Sequence, residues 1–260
     1  MKIGILGIST FGFGLIKWLV SNNYEIIFVT GKFKKAAHVS NLEKDVLSFC
    51  LRNKINHIGN VDCNSKEIID IAKKTDLCII GGYDKILKSE IINAPKLGVI
   101  NTHFGIIPEN RGCNPVMWGI IDKIEQGSTT YWVEDKIDFG KVILTIREPN
   151  LVDKTSEYIY NKISQLSIDA IPEIMNRIKN NFIERTMKHE GKYYKQGIPN
   201  NGYISLEWSN EKIKRYSDAL WFPPYAPAKI KFGKREYFVC VENKKNEKFK
   251  IKLYDENPHI

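Results

Sequence analysis

From Lys2 to Asn101, short apolar runs alternate with segments of helical period, and this alternation constrains the fold more than any other feature. Lys2–Leu6, Tyr24–Thr30, Leu77–Ile80 and Val99–Asn101 read as buried strands. Phe11–Ser21, Asn41–Arg52, Lys66–Lys73 and the brief Ser89–Asn93 carry helical spacing. Repeated strand–helix–strand units predict an α/β, Rossmann-like, mainly parallel sheet flanked by helices. Pro115 suits the first turn of a helix to about Ile124. Thr129–Val133 and Lys141–Arg147 read as two longer strands. Thr155 or Ser156 is placed to cap a long helix reaching Lys179, with a kink at Pro172.

At 260 residues the chain fits one large α/β domain with a modest appendage. Its 43% hydrophobic content is that of a globular protein. No run approaches the ~18 apolar residues of a membrane span, and no charged n-region precedes an apolar segment with a cleavage site, so a cytoplasmic location is expected. Five scattered cysteines with no C-x-x-C pair fit free thiols in a reducing compartment and argue against a structural zinc. Nothing adjacent in sequence activates Cys113. The +9 net charge is spread along the chain, as in Lys34-Lys35, Lys73-Lys74 and Lys244-Lys245. That spread fits a solvated surface or attraction of small polyanions better than a nucleic-acid footprint.

The most informative stretch runs from Gly98 to Gly140. A strand ends in Asn101-Thr102-His103, and Asp138-Phe139-Gly140 follows the alternating run Thr129–Val133. Residues two apart in a strand face one side, so Asn101 and His103 project together. The end of a parallel strand is where α/β folds place ligand crevices. An amide, an imidazole and a carboxylate gathered there suit attack on an acyl carbon. The first two stabilise an oxyanion, and the third sets the imidazole's charge and accepts a proton.

The same stretch resembles the core of the folate-dependent formyltransferases. The family pattern appears as Asn101-Thr102-His103, Ile106-Ile107-Pro108, Arg111-Gly112, Gly127-Ser128-Thr129 and Asp138-Phe139-Gly140. Upstream, Ile79 to Leu87 and Ala94-Pro95-Lys96-Leu97-Gly98 are similar to the family's strand, donor-pocket loop and short helix. Two positions depart from it: Gly105 stands where Ser is usual, and Tyr131 where His is frequent.

The resemblance implies a catalytic domain over residues 1–180 and a small C-terminal β-rich region over 181–260. It implies N10-formyltetrahydrofolate as formyl donor, no metal, and Asn101, His103 and Asp138 as catalytic residues. The donor pocket is expected at Ile86, Leu87, Val133 and Glu134, largely through backbone groups. For the acceptor, Lys85 is a candidate phosphate contact, Tyr225 a candidate stacking residue, and Arg111 either a substrate contact or a loop fastener. Ser9 and Thr10 form either a phosphate site at a helix N-terminus or a tight turn. The adjoining Gly7-Ile8-Ser9 fails the dinucleotide fingerprint, because Ser9 replaces the second glycine.

After Lys179, Gly202-Tyr203-Ile204, Trp208 and Pro223-Pro224-Tyr225 resemble the segment that follows the catalytic domain in methionyl-tRNA and nucleotide-sugar formyltransferases. The short tail and clipped loop after the second strand favour a nucleotide-linked, dTDP-type amino sugar as acceptor. Methionyl-tRNA stands second, the purine-pathway glycinamide enzyme third, and a catalytically silent binding module is the alternative of another class. Nucleic acid and membrane are not expected partners; a homodimer through the C-terminal region is.

Overall fold

A computed structural model describes residues 1–30, 39–59, 61–151, 153–187, 191–242 and 250–259, without the side chains of 39–41, 242 and 250. Lys34-Lys35, Lys244-Lys245 and most of the loop after the second strand lie outside the described residues. In chain order the strands are β1 (Lys2–Gly7), β2 (Glu25–Thr30), β3 (His57–Gly59), β4 (Leu77–Gly82), β5 (Val99–His103), β6 (Arg111–Gly112), β7 (Gly127–Trp132), β8 (Lys141–Arg147), β9 (Arg185–Thr186), β10 (Tyr193–Tyr194), β11 (Lys229–Phe232), β12 (Arg235–Glu242) and β13 (Lys250–Tyr254). The helices are α1 (Thr10–Ser21), α2 (Val39–Arg52), α3 (Lys66–Ala72), α4 (Ser89–Ile92), α5 (Pro115–Ile121), α6 (Ser156–Asp169), α7 (Ile171–Lys179) and α8 (Asn210–Leu220).

Two compact units emerge. The first comprises residues 1–103, 128–146 and 164–190. Its eight-stranded sheet has the order β3-β2-β1-β4-β5-β7-β8-β9. The pairings from β3 through β5 are parallel, whereas β5–β7 and β8–β9 are antiparallel. Continuous apolar runs suit strands covered on both faces, and β1 is buried from Ile3 to Gly7. One face is filled by Leu6, Phe28, Ile68, Cys78, Ile91 and Val99. Leu15, Ile16 and Leu19 of α1 and Ile174 and Ile178 of α7 are also buried. Each such side chain contributes roughly 1.5–3 kcal/mol. The expected Rossmann-like α/β core is therefore present.

Strand order reverses between β1 and β4, the topological switch point of a doubly wound sheet. Here the β1–α1 turn presses on the end of β4. Ser9 caps α1, accepting from Gly12 N at 3.1 Å and donating to the Gly81 carbonyl at 2.6 Å. A Cβ on Gly12 would lie 2.2 Å from that carbonyl oxygen, so glycine is required.

Two expectations shift. β5 continues to His103, because β7 extends the ladder as far as the His103–Thr129 pair. The long kinked helix is two helices, broken at Ala170. Pro172 lies in the first turn of α7, where its missing N–H leaves no bond unmade.

The second unit comprises residues 104–127, 147–163 and 191–260. It holds α5, α8, the short β6–β10 pair and an antiparallel sheet, β11-β12-β13, which is the small C-terminal β appendage. Ile204, Ile213, Leu220, Ala228, Ile230 and Val239 form its core. The Gly202–Ile204 stretch contributes a single bridge, Tyr203 to Lys229, rather than a full strand. Among the described residues, no helix is long and apolar enough to cross a membrane.

Candidate active site

Asn101 pairs with Tyr131 and His103 with Thr129 across the antiparallel β5–β7 ladder. Directly opposed residues share a face, so these four side chains project to one side of the sheet. Thr102 and Thr130 project to the other side, where their hydroxyls lie 3.0 Å apart.

The loop after β7 brings in the carboxylate. Asp138 sits at φ +46°, in the left-handed region that Asp tolerates better than most residues. Two residues on, a Cβ at Gly140 would fall 1.9 Å from the Trp132 carbonyl oxygen. The Asp-x-Gly spacing thus has a steric cause: the loop turns back so tightly on β7 that only glycine fits. Tyr131 Oη donates to Asp138 Oδ1 at 2.7 Å and accepts from Asn101 Nδ2 at 3.0 Å. His103 Nδ1 lies 3.8 Å from the same carboxylate oxygen, within ion-pair range but beyond a hydrogen bond. His103 is 8% exposed and Asp138 9%. The structure therefore gathers all three expected catalytic residues and inserts a fourth, Tyr131, at their centre. Sequence marked Tyr131 only as a departure from a pattern. The β5–β7 register, which makes it the partner of Asn101, has no local signal.

The expected donor-pocket residues lie in the loops that follow β4 and β7. Leu87 is buried beside Ile91, Ile92 and Val99, and half-buried Val133 packs on the same cluster. Glu134 is exposed, as is the Ile86 side chain. The Ile86 carbonyl accepts from Asn64 Nδ2 at 3.0 Å. A groove of about 400 Å³ reaches Val133 and Glu134 beside Val99 and Trp132, at the end of β5 remote from His103.

Of the candidate acceptor contacts, Ser9 is engaged as the α1 cap, and Thr10 is exposed in the first turn of that helix. The Lys85 ammonium pairs with Asp62 at 2.7 Å. Its hydrogen bond, with those from the Asn64 N–H and Tyr83, holds the Asp62 carboxyl well below the usual carboxylate range. Burial, followed by the bond to Asp62, pushes the Tyr83 hydroxyl up. In the second unit, Arg111 is buried, with its guanidinium 5.7 Å from the Tyr193 ring centroid. Tyr225 is half exposed, and its carbonyl lies 2.7 Å from His259 Nδ1. Among the described residues, no group of three His, Cys, Asp or Glu could hold a metal ion.

A doubly wound sheet with Asn101, His103 and Tyr131 on the face of β5 and β7, and Asp138 in the loop beside them, defines a Rossmann-like α/β protein. The chain belongs to the formyl transferase family, whose profile, described as "Formyl transferase", matches residues 1–175. It is 27% identical over 215 residues to a methionyl-tRNA formyltransferase of Clostridioides difficile, across 80% of this chain and 69% of that one. A GDP-perosamine N-formyltransferase of Brucella melitensis is 25% identical over 179 residues, 68% of this chain and 69% of the relative. The fold is that of a 4-N formyltransferase from Francisella tularensis, with a TM-score of 0.77 and 21% identity over 94% of this chain and 98% of that one.

Proposed function

We propose that this chain transfers the formyl group of N10-formyltetrahydrofolate to the amine of a nucleotide-linked amino-deoxysugar, of the dTDP-linked type. The observation that carries the transfer chemistry is the Tyr131 hydroxyl bridging Asn101 and Asp138, with His103 3.8 Å from the same carboxylate.

The donor would supply an activated formyl carbon. The loops proposed to meet the donor's flat heterocycle are anchored through Leu87 and Val133, which pack on the buried cluster of Ile91, Ile92 and Val99. Residues 83–87 stand outside any strand or helix, so their backbone is not bound into a ladder and can meet the ring's polar edge. The Asn101 amide carries two N–H groups, and Tyr131 takes one. The second, with the imidazole of His103, donates to the formyl oxygen as negative charge develops there. Fixed donors in a buried site stabilise that charge without reorganising. Asp138 accepts the proton that the attacking amine must lose, directly or through water. As that proton passes on to the donor nitrogen, the tetrahedral intermediate collapses, the bond from the formyl carbon to that nitrogen breaks and tetrahydrofolate leaves. Tyr131 holds Asp138 and Asn101 in register for both tasks. Ile86 and Glu134 are proposed to border the donor; Lys85 and Thr10 of the first unit, and Arg111 and Tyr225 of the second, are each proposed acceptor contacts, while Ser9 acts by capping α1.

The 25% identity to a GDP-perosamine N-formyltransferase, over 68% of this chain, supports the sugar acceptor. The 27% identity to a methionyl-tRNA formyltransferase supports methionyl-tRNA as the second reading. Formyl transfer from N10-formyltetrahydrofolate to a panel of dTDP-, UDP- and GDP-amino sugars, methionyl-tRNA and glycinamide ribonucleotide tests the choice. Product with a dTDP-amino sugar is the expected result. Product with methionyl-tRNA alone overturns the acceptor, and no product with any acceptor favours a silent binding module.

A further inference from the structure

The proposed donor pocket is bounded by a loop, Tyr83–Lys88, that has no regular structure of its own, and its shape must therefore be imposed from outside. Asp62 and Asn64, in the connection between β3 and α3, meet it residue by residue. Tyr83 Oη donates to Asp62 Oδ1 at 2.7 Å, and Lys85 Nζ to Asp62 Oδ2 at 2.7 Å. Asn64 Nδ2 donates to the Ile86 carbonyl at 3.0 Å, while Asn64 Oδ1 accepts from Lys88 N at 2.8 Å. The Cys63 N–H donates back to Tyr83 Oη at 3.1 Å, and the Asn64 N–H to Asp62 Oδ1 at 2.9 Å. Just beyond the loop, Ser89 Oγ donates to Asp135 Oδ1 at 2.8 Å, tying the start of α4 to the Val133–Asp138 segment on the pocket's other rim.

We infer that Asp62 and Asn64 are positioning residues for the formyl donor: they fix the Ile86–Leu87 backbone against which the donor's heterocycle lies. This rests on the transfer reading above. A pocket built from backbone has few side chains of its own, so affinity depends on whatever holds that backbone still. Asn64 acts at the two ends of the critical dipeptide, through Ile86 O and Lys88 N. Asp62 acts one step earlier, through Tyr83 and Lys85. The hydrogen bonds of Asp62 and Asn64 go to the loop and to each other, so donor binding and chemistry should be separable.

The experiment compares wild type with N64A, N64D and D62N, measuring affinity for folinic acid, a stable formyl-folate isomer, by calorimetry. Steady-state constants for donor and acceptor and the melting temperature accompany it. N64A is expected to weaken folinic acid about tenfold, the loss of one or two hydrogen bonds, and to raise the donor KM alike. Its kcat at saturating donor and its acceptor KM should stay within about twofold of wild type. N64D keeps the acceptor to Lys88 N and should fall between. D62N, which leaves the contacts to Ile86 and Lys88 intact, should weaken folinic acid less, and it decides the matter if N64A does not fold. Variants that bind folinic acid as wild type does overturn the inference alone. So do variants whose kcat and both KM values change in proportion. A wild-type protein that does not bind folinic acid overturns the transfer reading and the inference with it.

Discussion

The Tyr131 hydroxyl donates to the Asp138 carboxylate at 2.7 Å from the strand position directly opposite Asn101. Because Tyr131 also accepts from Asn101, it couples the group that would receive a proton to one that would steady an oxyanion. Removing only its hydroxyl, in Y131F, leaves the buried ring in place. Losing a hydrogen bond to a charged group costs about 1.5–3 kcal/mol, so Tm should fall by several degrees, and if the bond is kept in the transition state kcat should fall roughly ten- to hundredfold. Y131H, which restores a donor, should recover part of the rate. Steady-state kinetics of the two variants decide it, and a Y131F enzyme at full rate would remove Tyr131 from the mechanism.

His103 and Asn101 are expected to act on the formyl oxygen. H103A and N101A should each lower kcat/KM by about 10²–10⁴-fold. Folinic acid affinity should change far less, since the ring contacts proposed above are made by the Ile86–Leu87 loop. A His103→Ala protein that formylates as well as wild type would sink the catalytic assignment.

The Asp-x-Gly turn makes two opposite demands, one chemical and one steric. D138N keeps a side chain that accepts positive φ, so it should fold like wild type and lose most activity. G140A should instead lower stability, by about 2 kcal/mol or more, because the new Cβ would fall on the Trp132 carbonyl oxygen. Chemical denaturation beside activity assays separates the two effects.

Ser9 links the α1 cap to the end of β4. S9A removes the bonds to Gly12 N and Gly81 O and should cost about 1 kcal/mol of stability. Because that hydroxyl is already engaged, the acceptor KM should rise less than twofold. A large rise without destabilisation would give Ser9 a direct acceptor contact.

The Asp62 carboxyl is held below its ordinary value, chiefly by Lys85. A carboxylate depressed in the native state favours folding fully above its unfolded pKa, near 3.9. That contribution fades as pH falls through the native value. The stability difference between wild type and D62N should thus be constant above about pH 5 and shrink below about pH 4. Urea titrations at a series of pH values measure it. A difference that grew on acidification would contradict the ion pair.

Some of the site was legible residue by residue. Asn101 and His103 declare themselves by their spacing of two in an apolar strand, and Asp138 by the glycine two residues later. Lys85 illustrates the limit. A lysine after an apolar strand invites a phosphate, but its partner Asp62 is 23 residues away and unmarked by any local pattern. Pro172 shows another limit: a proline forecasts disturbance of a helix, yet whether it kinks or ends it depends on where Ala170 can be accommodated.

The sequence by itself determined the βαβ alternation, hence the parallel half of the sheet, because apolar period and turn residues act over a few neighbours. It also marked Asn101, His103 and Asp138 as candidates, which the structure brings together. Tertiary structure alone decided that β7 lies antiparallel to β5 with Tyr131 opposite Asn101, and that Asp62 and Asn64 grip the loop at Ile86. Both are contacts between segments more than twenty residues apart. Register and loop-to-loop hydrogen bonding follow from how whole elements pack, and no window of local sequence encodes that.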